Sequence, residues 1–230
     1  MYKRQDLEHN SLKELGISLG SKEVYVEEEI KMAAMGCGIN IFKPEGNIFI
    51  DIGGGTTDVA VIASGDIAVS NSIKIAGRNM TEEIIKYLRT NHNIMIGERT
   101  GERIKINLGT LKKNILEENL EIQGRDVMSG LPKQIVINNN EVREIITPFF
   151  NNIADLIGQV LEKTDPELIG DIYSNGFYFC GGSSLIKGID EYFYNIFKIP
   201  GQIVSNPLLT VIEGTKQWKN IIAQKDNFIY

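Results

Sequence analysis

The chain has 230 residues, of which 42% are hydrophobic and 23% charged, and its formal net charge is −6 at pH 7. This length and composition are typical of one globular domain or two small ones. The net negative charge and the lack of a stripe of Lys and Arg argue against nucleic-acid binding, because affinity for a phosphate backbone depends on clustered cations. No apolar run is long enough to span a bilayer, and the polar start at residues 1–10 is unlike a signal peptide, so we expect a cytoplasmic protein.

The first half of the chain predicts four short strands and three helices. A strand is predicted at 24–26 and a helix rich in Met and Ala at 28–38. Glycine-bearing turns separate the next three strands, which are predicted at 47–51, 56–63 and 66–73. Thr81 has the side chain of an N-cap, with Glu82 and Glu83 behind it where the helix dipole favours anions, so a helix is predicted from there to Asn91. Another helix is predicted at 98–108.

The second half begins with polar segments and ends in alternating strands and helices. Residues 121–124 and 134–138 predict a small polar hairpin. A helix begins near Glu141, and Thr147-Pro148 predicts a junction before the amphipathic helix at 149–161. The remaining predicted elements are a strand at 177–180, a helix at 185–197, a strand at 202–204 and a helix at 208–223.

This order of elements predicts an α/β fold, with helices packed on a mixed sheet. The polar stretch at 79–147 is interpreted as an insertion between two parts of that sheet. Open α/β sheets bind ligands at the carboxyl ends of their strands, which is where the glycine turns after residues 52 and 180 lie. We therefore expect both turns to open onto one cleft.

The two cysteines and two histidines do not predict a metal site. Cys37 and Cys180 lie far apart in the sequence, within apolar or glycine-rich stretches. They are expected to be small buried residues in a reducing compartment, without a disulfide between them. His9 and His92 lack the spacing of zinc ligands.

Residues 51–58 carry the most direct chemical signal, and they read DIGGGTTD. Three glycines remove every Cβ from a tight turn, so backbone N–H groups can approach an anion. The two threonine hydroxyls add donors, and Asp51 is placed to hold the water shell of Mg²⁺. The alternative is an ordinary β-hairpin in which the glycines only turn the chain.

Five segments in this order resemble the superfamily of actin, sugar-kinase and heat-shock-chaperone ATPases. The segments are Glu28-Glu29 and residues 51–58, 102–105, 180–184 and 206–214. Within that superfamily, residues 94–105, which read IMIGERTGERIK, are similar to the MreB family of bacterial actin-like proteins. The resemblance extends from about Leu12 to Trp218.

The resemblance implies an actin-like, ribonuclease H-like ATPase fold. It assigns 1–46 to a remnant of the first domain with its connecting helix, and 47–78 with 148–207 to the α/β core of a nearly complete second domain. It assigns 79–147 to a small inserted α+β subdomain, and 208–230 to a C-terminal helix that packs toward the first domain. Superfamily members clamp nucleotide between two phosphate loops, so we expect the first loop to precede Met1 and the chain to be a C-terminal fragment or a truncated gene product.

The resemblance also assigns ATP and Mg²⁺ as cofactors, with Asp51 holding the metal through water. Catalytic roles are implied for Glu29, Asp51 and Thr56. The residues implied in nucleotide binding are Gly53, Gly54, Gly55, Thr56, Thr57, Glu102, Lys105, Gly181, Gly182 and Ser183. In this scheme Glu102 and Lys105 hold the ribose and the adenine edge, and the last three residues present bare backbone at the start of a helix.

Two of these assignments have alternatives. Glu27, Glu28 and Glu29 open a helix, where the dipole alone favours acidic side chains, and Ile30-Lys31 departs from the proline that the family usually carries there. Glu102 and Lys105 have the spacing of a surface ion pair.

The function implied is an ATP-binding cytoskeletal protein that polymerises into filaments and directs cell-wall synthesis and rod shape. Slow hydrolysis of ATP with Mg²⁺ is implied for the intact family member, whereas the isolated chain, without the first phosphate loop, is expected to be impaired. Its implied partners are further copies of itself and membrane-bound cell-wall elongation proteins, with peripheral association at the inner membrane face. Two alternatives remain open: a non-polymerising chaperone-type or regulatory ATPase module, and an interaction fragment unable to bind nucleotide.

Overall fold

The structure is a computed structural model that describes residues 2–113 and 115–226. Residues 1, 114 and 227–230, which fall inside the expected ranges 1–46, 79–147 and 208–230, lie outside the described residues. The helices are α1 (Tyr2–Ser18), α2 (Glu29–Gly36), α3 (Gly77–Asn91), α4 (Glu98–Leu108), α5 (Asn139–Glu162), α6 (Pro166–Asn175), α7 (Ile189–Phe197) and α8 (Thr210–Asp226). The strands are β1 (Asn47–Ile52), β2 (Thr57–Ala63), β3 (Asp66–Ile73), β4 (Ile94–Met95), β5 (Asn119–Asp126), β6 (Pro132–Asn138), β7 (Phe177–Cys180) and β8 (Gly201–Ile203).

A five-stranded mixed sheet with the order β3-β2-β1-β7-β8 forms the centre of the fold. β1 is antiparallel to β2 and parallel to β7. All six residues of β1 are buried, because helices cover both faces of the sheet. Alternate residues enter different cores: Ile48 and Ile50 join the larger core with α3, α5 and α7, and Phe49 packs with residues of α2 on the other face.

A second, three-stranded antiparallel sheet has the order β4-β5-β6. α3 and α4 pack against each other beside it, and Ile122 and Ile137 bury its inner face in the larger core. The expected hairpin at 121–124 and 134–138 is confirmed, with both strands longer than predicted. Within 2–113 and 115–226, none of the helices combines the length and apolarity needed to cross a bilayer.

The strands of the central sheet were predicted within one residue, but several helix boundaries were wrong. Helix α3 begins at Gly77, so Thr81 lies inside it and is not its N-cap. The backbone amide of Ala76 instead donates to Asn79 Oδ1 at 3.0 Å. Thr81 turns its hydroxyl toward Gly77 O and Glu102.

The predicted junction at Thr147-Pro148 is also wrong, because α5 runs through it without a break. Pro148 removes one helical hydrogen bond, but buried residues on both sides of it pack into the same core. This shared burial holds the two halves in one helix.

Three further differences concern short elements. Residues 24–26 form no strand in the structure, and α6 lies in a stretch where no helix was predicted. The helix predicted at 185–197 starts at Ile189 and is preceded by a separate 3-10 turn at Gly182–Leu185. The reason is that Lys187 pairs with Thr110 in a β-bridge, which holds the chain extended between the two helices.

Candidate functional site

The two glycine turns open onto one cleft, as expected from the sequence. Residues 53–56 follow β1, and residues 181–183 follow β7. Because β1 and β7 are parallel neighbours, both turns lie at the same edge of the sheet. The cleft has a volume of about 780 Å³, within the range of small-molecule sites. Its lining residues are Gly53, Gly54, Gly77, Arg78, Glu98, Arg99, Glu102, Lys105, Ile106, Gly182, Ser183, Leu185, Ile186 and Leu208.

Backbone amides on both sides of the cleft are free to bind a ligand. Among the hydrogen bonds of the described residues, none is donated by the amides of Gly54, Gly55, Thr56, Gly182 or Ser183. The neighbouring amides are occupied: Gly53 donates to Thr56 O at 3.0 Å and Gly181 donates to Pro207 O at 3.0 Å. Clusters of unpaired N–H groups in glycine turns are typical anion-binding sites.

The first turn divides its threonines between two environments. Gly55 and Thr56 are exposed, and a Cβ placed on Gly55 would meet no atom within 4 Å. Thr57 is fully buried, and its hydroxyl donates to Ile75 O at 2.7 Å. The hydroxyl proton of Thr57 is therefore used inside the sheet, whereas the hydroxyl of Thr56 is accessible.

Gly181 supports the site without lining it. Its φ is +79°, and a Cβ there would overlap Asp51 Oδ1 and the backbone of Ile52. Two residues later, Ser183 Oγ donates to Gly53 O at 3.3 Å and links the two turns directly. The turn continues into a four-residue 3-10 helix, so the expected start of an α-helix at this point is wrong.

The polar side of the cleft is built around Lys105, which is only 7% exposed. Its ammonium donates to Gly77 O at 2.8 Å and lies 2.8 Å from Glu102 Oε2, which also accepts from Thr81. Burial raises the pKa of Glu102, but the hydrogen bonds from Lys105 and Thr81 and the Lys105 charge outweigh it and leave that pKa below its usual value. Glu102 and Lys105 are thus more than a surface ion pair, because Lys105 is buried.

Three carboxylates come together at the base of the first turn. Burial, and after it the charges of Glu29 and Asp58, raises the pKa of Asp51 to about 6. No hydrogen bond or ion pair between described residues involves the Asp51 carboxylate. Glu29 is the first residue of α2, and α2 packs on β1, the strand that carries Asp51.

The three carboxylates of Glu29, Asp51 and Asp58 suit a hydrated divalent cation better than a cation that they ligate directly. Unpaired carboxylate oxygens suit Mg²⁺, which keeps several waters and is completed by phosphate oxygens in nucleotide sites. Among the described residues, no group of three or more His, Cys, Asp or Glu side chains is arranged to hold a metal by itself. A cation here would depend on water and on a second ligand.

The structure brings six of the predicted site residues into the lining of the cleft: Gly53, Gly54, Glu102, Lys105, Gly182 and Ser183. The others, Glu29, Asp51, Gly55, Thr56, Thr57 and Gly181, lie outside that lining.

Sequence reasoning missed Gly77, Arg78 and Arg99. The sequence did contain a signal for Gly77 and Arg78, because Gly77 follows β3 and marks a further glycine-containing turn. The guanidinium groups of Arg78 and Arg99 form no ion pair and no side-chain hydrogen bond with another described residue. Both are therefore unpaired cations in the cleft.

Comparison with known proteins shows a consistent set of similarities. The model of the family described as MreB/Mbl protein matches residues 2–227. The chain is 44% identical to the cell shape-determining protein Mbl of Bacillus subtilis over 91% of this chain and 63% of Mbl. It is 34% identical to the cell shape-determining protein MreB of Escherichia coli over 90% of this chain and 60% of that protein.

Solved structures show the same likeness in three dimensions. MreB5 of Spiroplasma citri, solved with AMPPNP bound, is 48% identical and superposes with a TM-score of 0.92 over 96% of this chain and 66% of its own. The same protein has also been solved with ADP. The chain thus has the actin-like α/β fold and spans between 60% and 67% of the length of these relatives.

Proposed function

The chain belongs to the MreB/Mbl family, and from this premise we propose that its cleft binds ATP together with Mg²⁺. The observation that carries the proposal is the set of five unpaired backbone amides on the two turns. Gly54, Gly182 and Ser183 line one cleft, and Gly55 and Thr56 continue the first turn beside it, so the five donors would suit the oxygens of a β,γ-phosphate group. The net charge of −6 does not oppose this, because backbone dipoles, Arg78 and Arg99 supply local positive potential.

The nucleoside would lie along α4. Both contacts of the Glu102 carboxylate use Oε2, so Oε1 is available to accept from ribose hydroxyls. The ammonium of Lys105 is already engaged with Gly77 and Glu102, so its role is to hold Glu102 in place and to contribute charge. Ile106, Leu185 and Leu208 give the cleft an apolar lining against which a base can pack.

Asp51 would hold the water shell of Mg²⁺. When bound, this ion neutralises charge on the phosphate oxygens. The accessible hydroxyl of Thr56 would donate to the terminal phosphate, and Gly55 and Thr56 would donate backbone N–H bonds. Glu29 is exposed, and its charge contributes to the raised pKa of Asp51. It would orient the attacking water in a slow hydrolysis.

For the whole protein we propose the role that the names of its relatives describe: a cell shape-determining, actin-like cytoskeletal protein. It would polymerise into filaments, act in the cytoplasm at the inner face of the membrane, and direct cell-wall synthesis with membrane-bound elongation proteins. The family relationship and the shared fold support this proposal.

The nucleotide proposal is tested by calorimetric titration with ATP, with and without Mg²⁺. We expect saturable binding that requires Mg²⁺ and weakens at least about tenfold in Gly55→Asp, since that substitution places a carboxylate beside the phosphates without a clash. Gly170→Asp adds the same charge at an open site on α6 and is the control. Equal affinity of the two variants would contradict the proposal.

The filament proposal needs a separate assay. Sedimentation of the intact protein should give pellets that depend on ATP. A protein that stays monomeric at high concentration with ATP would instead favour a non-polymerising ATPase module.

A further inference from the structure

A separate cavity lies between α3 and α5, away from the candidate cleft. Its volume of about 380 Å³ is within the range of small-molecule sites. We call it the α3–α5 pocket, and its lining residues are Glu83, Tyr87, Glu144, Ile145, Pro148 and Phe149. It shares no lining residue with the cleft, so a ligand in this pocket would not depend on the proposed ATP binding.

The α3–α5 pocket carries one carboxylate that has no partner. Glu144 is exposed, and no hydrogen bond or ion pair between described residues involves its carboxylate. The other carboxylate of the lining, Glu83, is already paired, because Lys86 Nζ donates to its two oxygens at 3.0 and 3.1 Å. The negative charge of Glu144 is therefore not balanced by an ion pair.

Pro148 leaves a second acceptor without a donor. In an α-helix the carbonyl of each residue accepts from the N–H four residues later. Pro148 lies inside α5 and has no N–H, so the carbonyl of Glu144 lacks its helical donor. Among the described residues, no side-chain hydrogen bond replaces that donor. Because Glu144 and Pro148 both line the pocket, this oxygen lies at the pocket wall.

The other lining side chains bring no free donor. Tyr87 donates its hydroxyl to Glu141 Oε2 at 3.1 Å. Burial, and after it the hydrogen bond to Glu141 and the charges of Glu141 and Glu144, raises the pKa of Tyr87, so its hydroxyl keeps its proton. Ile145 and Phe149 contribute apolar and aromatic surface. The lining therefore matches a ligand that carries a positive charge and N–H donors.

We propose that the α3–α5 pocket binds a primary alkylammonium ion. The ammonium N–H groups would donate to the Glu144 carboxylate and to the Glu144 carbonyl. The rings of Tyr87 and Phe149 would pack against the alkyl chain and attract the cation. A metal ion fits less well, because across residues 2–113 and 115–226 no group of three or more His, Cys, Asp or Glu side chains is arranged to hold one.

The test is a titration of the ¹⁵N-labelled chain with n-butylammonium chloride at constant ionic strength, followed in two-dimensional NMR spectra. We expect the amides of Tyr87, Glu144 and Phe149 to shift with one saturation curve. Tetramethylammonium has the same charge but no N–H donor, so it should bind at least about fivefold more weakly. Equal affinities for the two cations, or no shift at these amides, would overturn the proposal.

Two variants test the two acceptors separately. Glu144→Gln should weaken n-butylammonium binding at least about fivefold, whereas Glu162→Gln, at an exposed position of the same helix, should have no effect. Pro148→Ala restores the N–H donor for the Glu144 carbonyl, so it should weaken binding about threefold without lowering thermal stability. Circular dichroism checks that each variant is folded. Wild-type affinity in the folded Glu144→Gln or Pro148→Ala variant would contradict the proposal.

The same ammonium chemistry occurs in free polyamines and in lysine side chains. Spermidine and Nα-acetyl-lysine N-methylamide are therefore titrated in parallel. Tighter binding of spermidine would assign the pocket to a free polyamine, and tighter binding of the lysine derivative would assign it to a lysine side chain. Failure of both to bind would overturn the proposal, whatever the affinity of the cleft for ATP.

Discussion

Asp51 and Asp58 lie directly opposite each other on the antiparallel strands β1 and β2, at the point where β1 enters the first glycine turn. Two acidic side chains in facing positions of a sheet repel each other. Burial, with the charges of Glu29 and Asp58, raises the pKa of Asp51 to about 6. The fold thus keeps a carboxylate in a position where its charge is destabilising, which is common at functional sites.

The first prediction is that Asp51→Asn stabilises the protein at neutral pH. The pKa of Asp51 is higher in the folded state than in the unfolded chain. The free energy of unfolding therefore falls as pH rises from about 4 to about 6, and it stays lower above that range. Removing the charge should increase the free energy of unfolding at pH 7.5 by about 2 to 3 kcal/mol, with no gain below about pH 4. Urea denaturation at both pH values measures this, with the exposed Asp155→Asn as control. A variant less stable than wild type at pH 7.5 would contradict it.

The second prediction concerns the buried cation of the cleft. Lys105→Met leaves Gly77 O without its Lys105 donor and removes the charge partner of Glu102. We expect a loss of about 2 kcal/mol in unfolding free energy. Lys86→Met breaks an ion pair with Glu83 of the same spacing, but on an exposed surface, and should cost less than about 0.5 kcal/mol. Equal losses would mean that Lys105 behaves as a surface residue.

The central sheet was predictable because its strands carry their signal locally. Near-continuous apolar runs at β1 and β2 predict strands buried on both faces, and the glycine turns mark their ends. The same local rules failed at Thr81 and Pro148. There, long-range packing and the contact of Thr81 with Glu102 decide the structure, and neither is visible in the neighbouring residues.

The site shows the same division between local and long-range information. The two glycine turns and the Glu102 and Lys105 pair were found from sequence. The burial of Lys105 depends on Gly77, which belongs to a different helix, and the contact of Ser183 with Gly53 depends on the parallel pairing of β1 and β7. Sequence spacing alone does not contain these contacts.

The third prediction is that Gly181→Ala is strongly destabilising. The substitution forces a Cβ into Asp51 and Ile52 at a position with φ of +79°. We expect a loss of more than about 2 kcal/mol in unfolding free energy. The control is Gly158→Ala in α5, where a Cβ meets no atom within 4 Å and the better helix former should stabilise by about 0.5 to 1 kcal/mol. Thermal denaturation of the two variants should therefore shift in opposite directions, and a shift in the same direction would contradict the prediction.

The fourth prediction assigns Arg78 to ligand binding. Its backbone amide donates to Gly54 O at 2.8 Å, and its unpaired guanidinium lines the cleft beside the first turn. Arg78→Ala should weaken the affinity for ATP by about tenfold without changing thermal stability, because it removes a cation next to the phosphates. Arg103→Ala removes an exposed arginine of α4 outside the cleft and should have no effect. Comparable affinities of the two variants, measured by calorimetry, would count against this role.

The most direct test of the account is a titration of the ¹⁵N-labelled chain with Mg-ATP, followed residue by residue in two-dimensional NMR spectra. This measurement detects weak binding as well as tight binding and reports on the backbone amides themselves. The account predicts that the amides of Gly54, Gly55, Thr56, Gly182 and Ser183 shift together with one common saturation curve. Shifts confined to one of the two turns, or no shift at these amides at millimolar nucleotide, would contradict it.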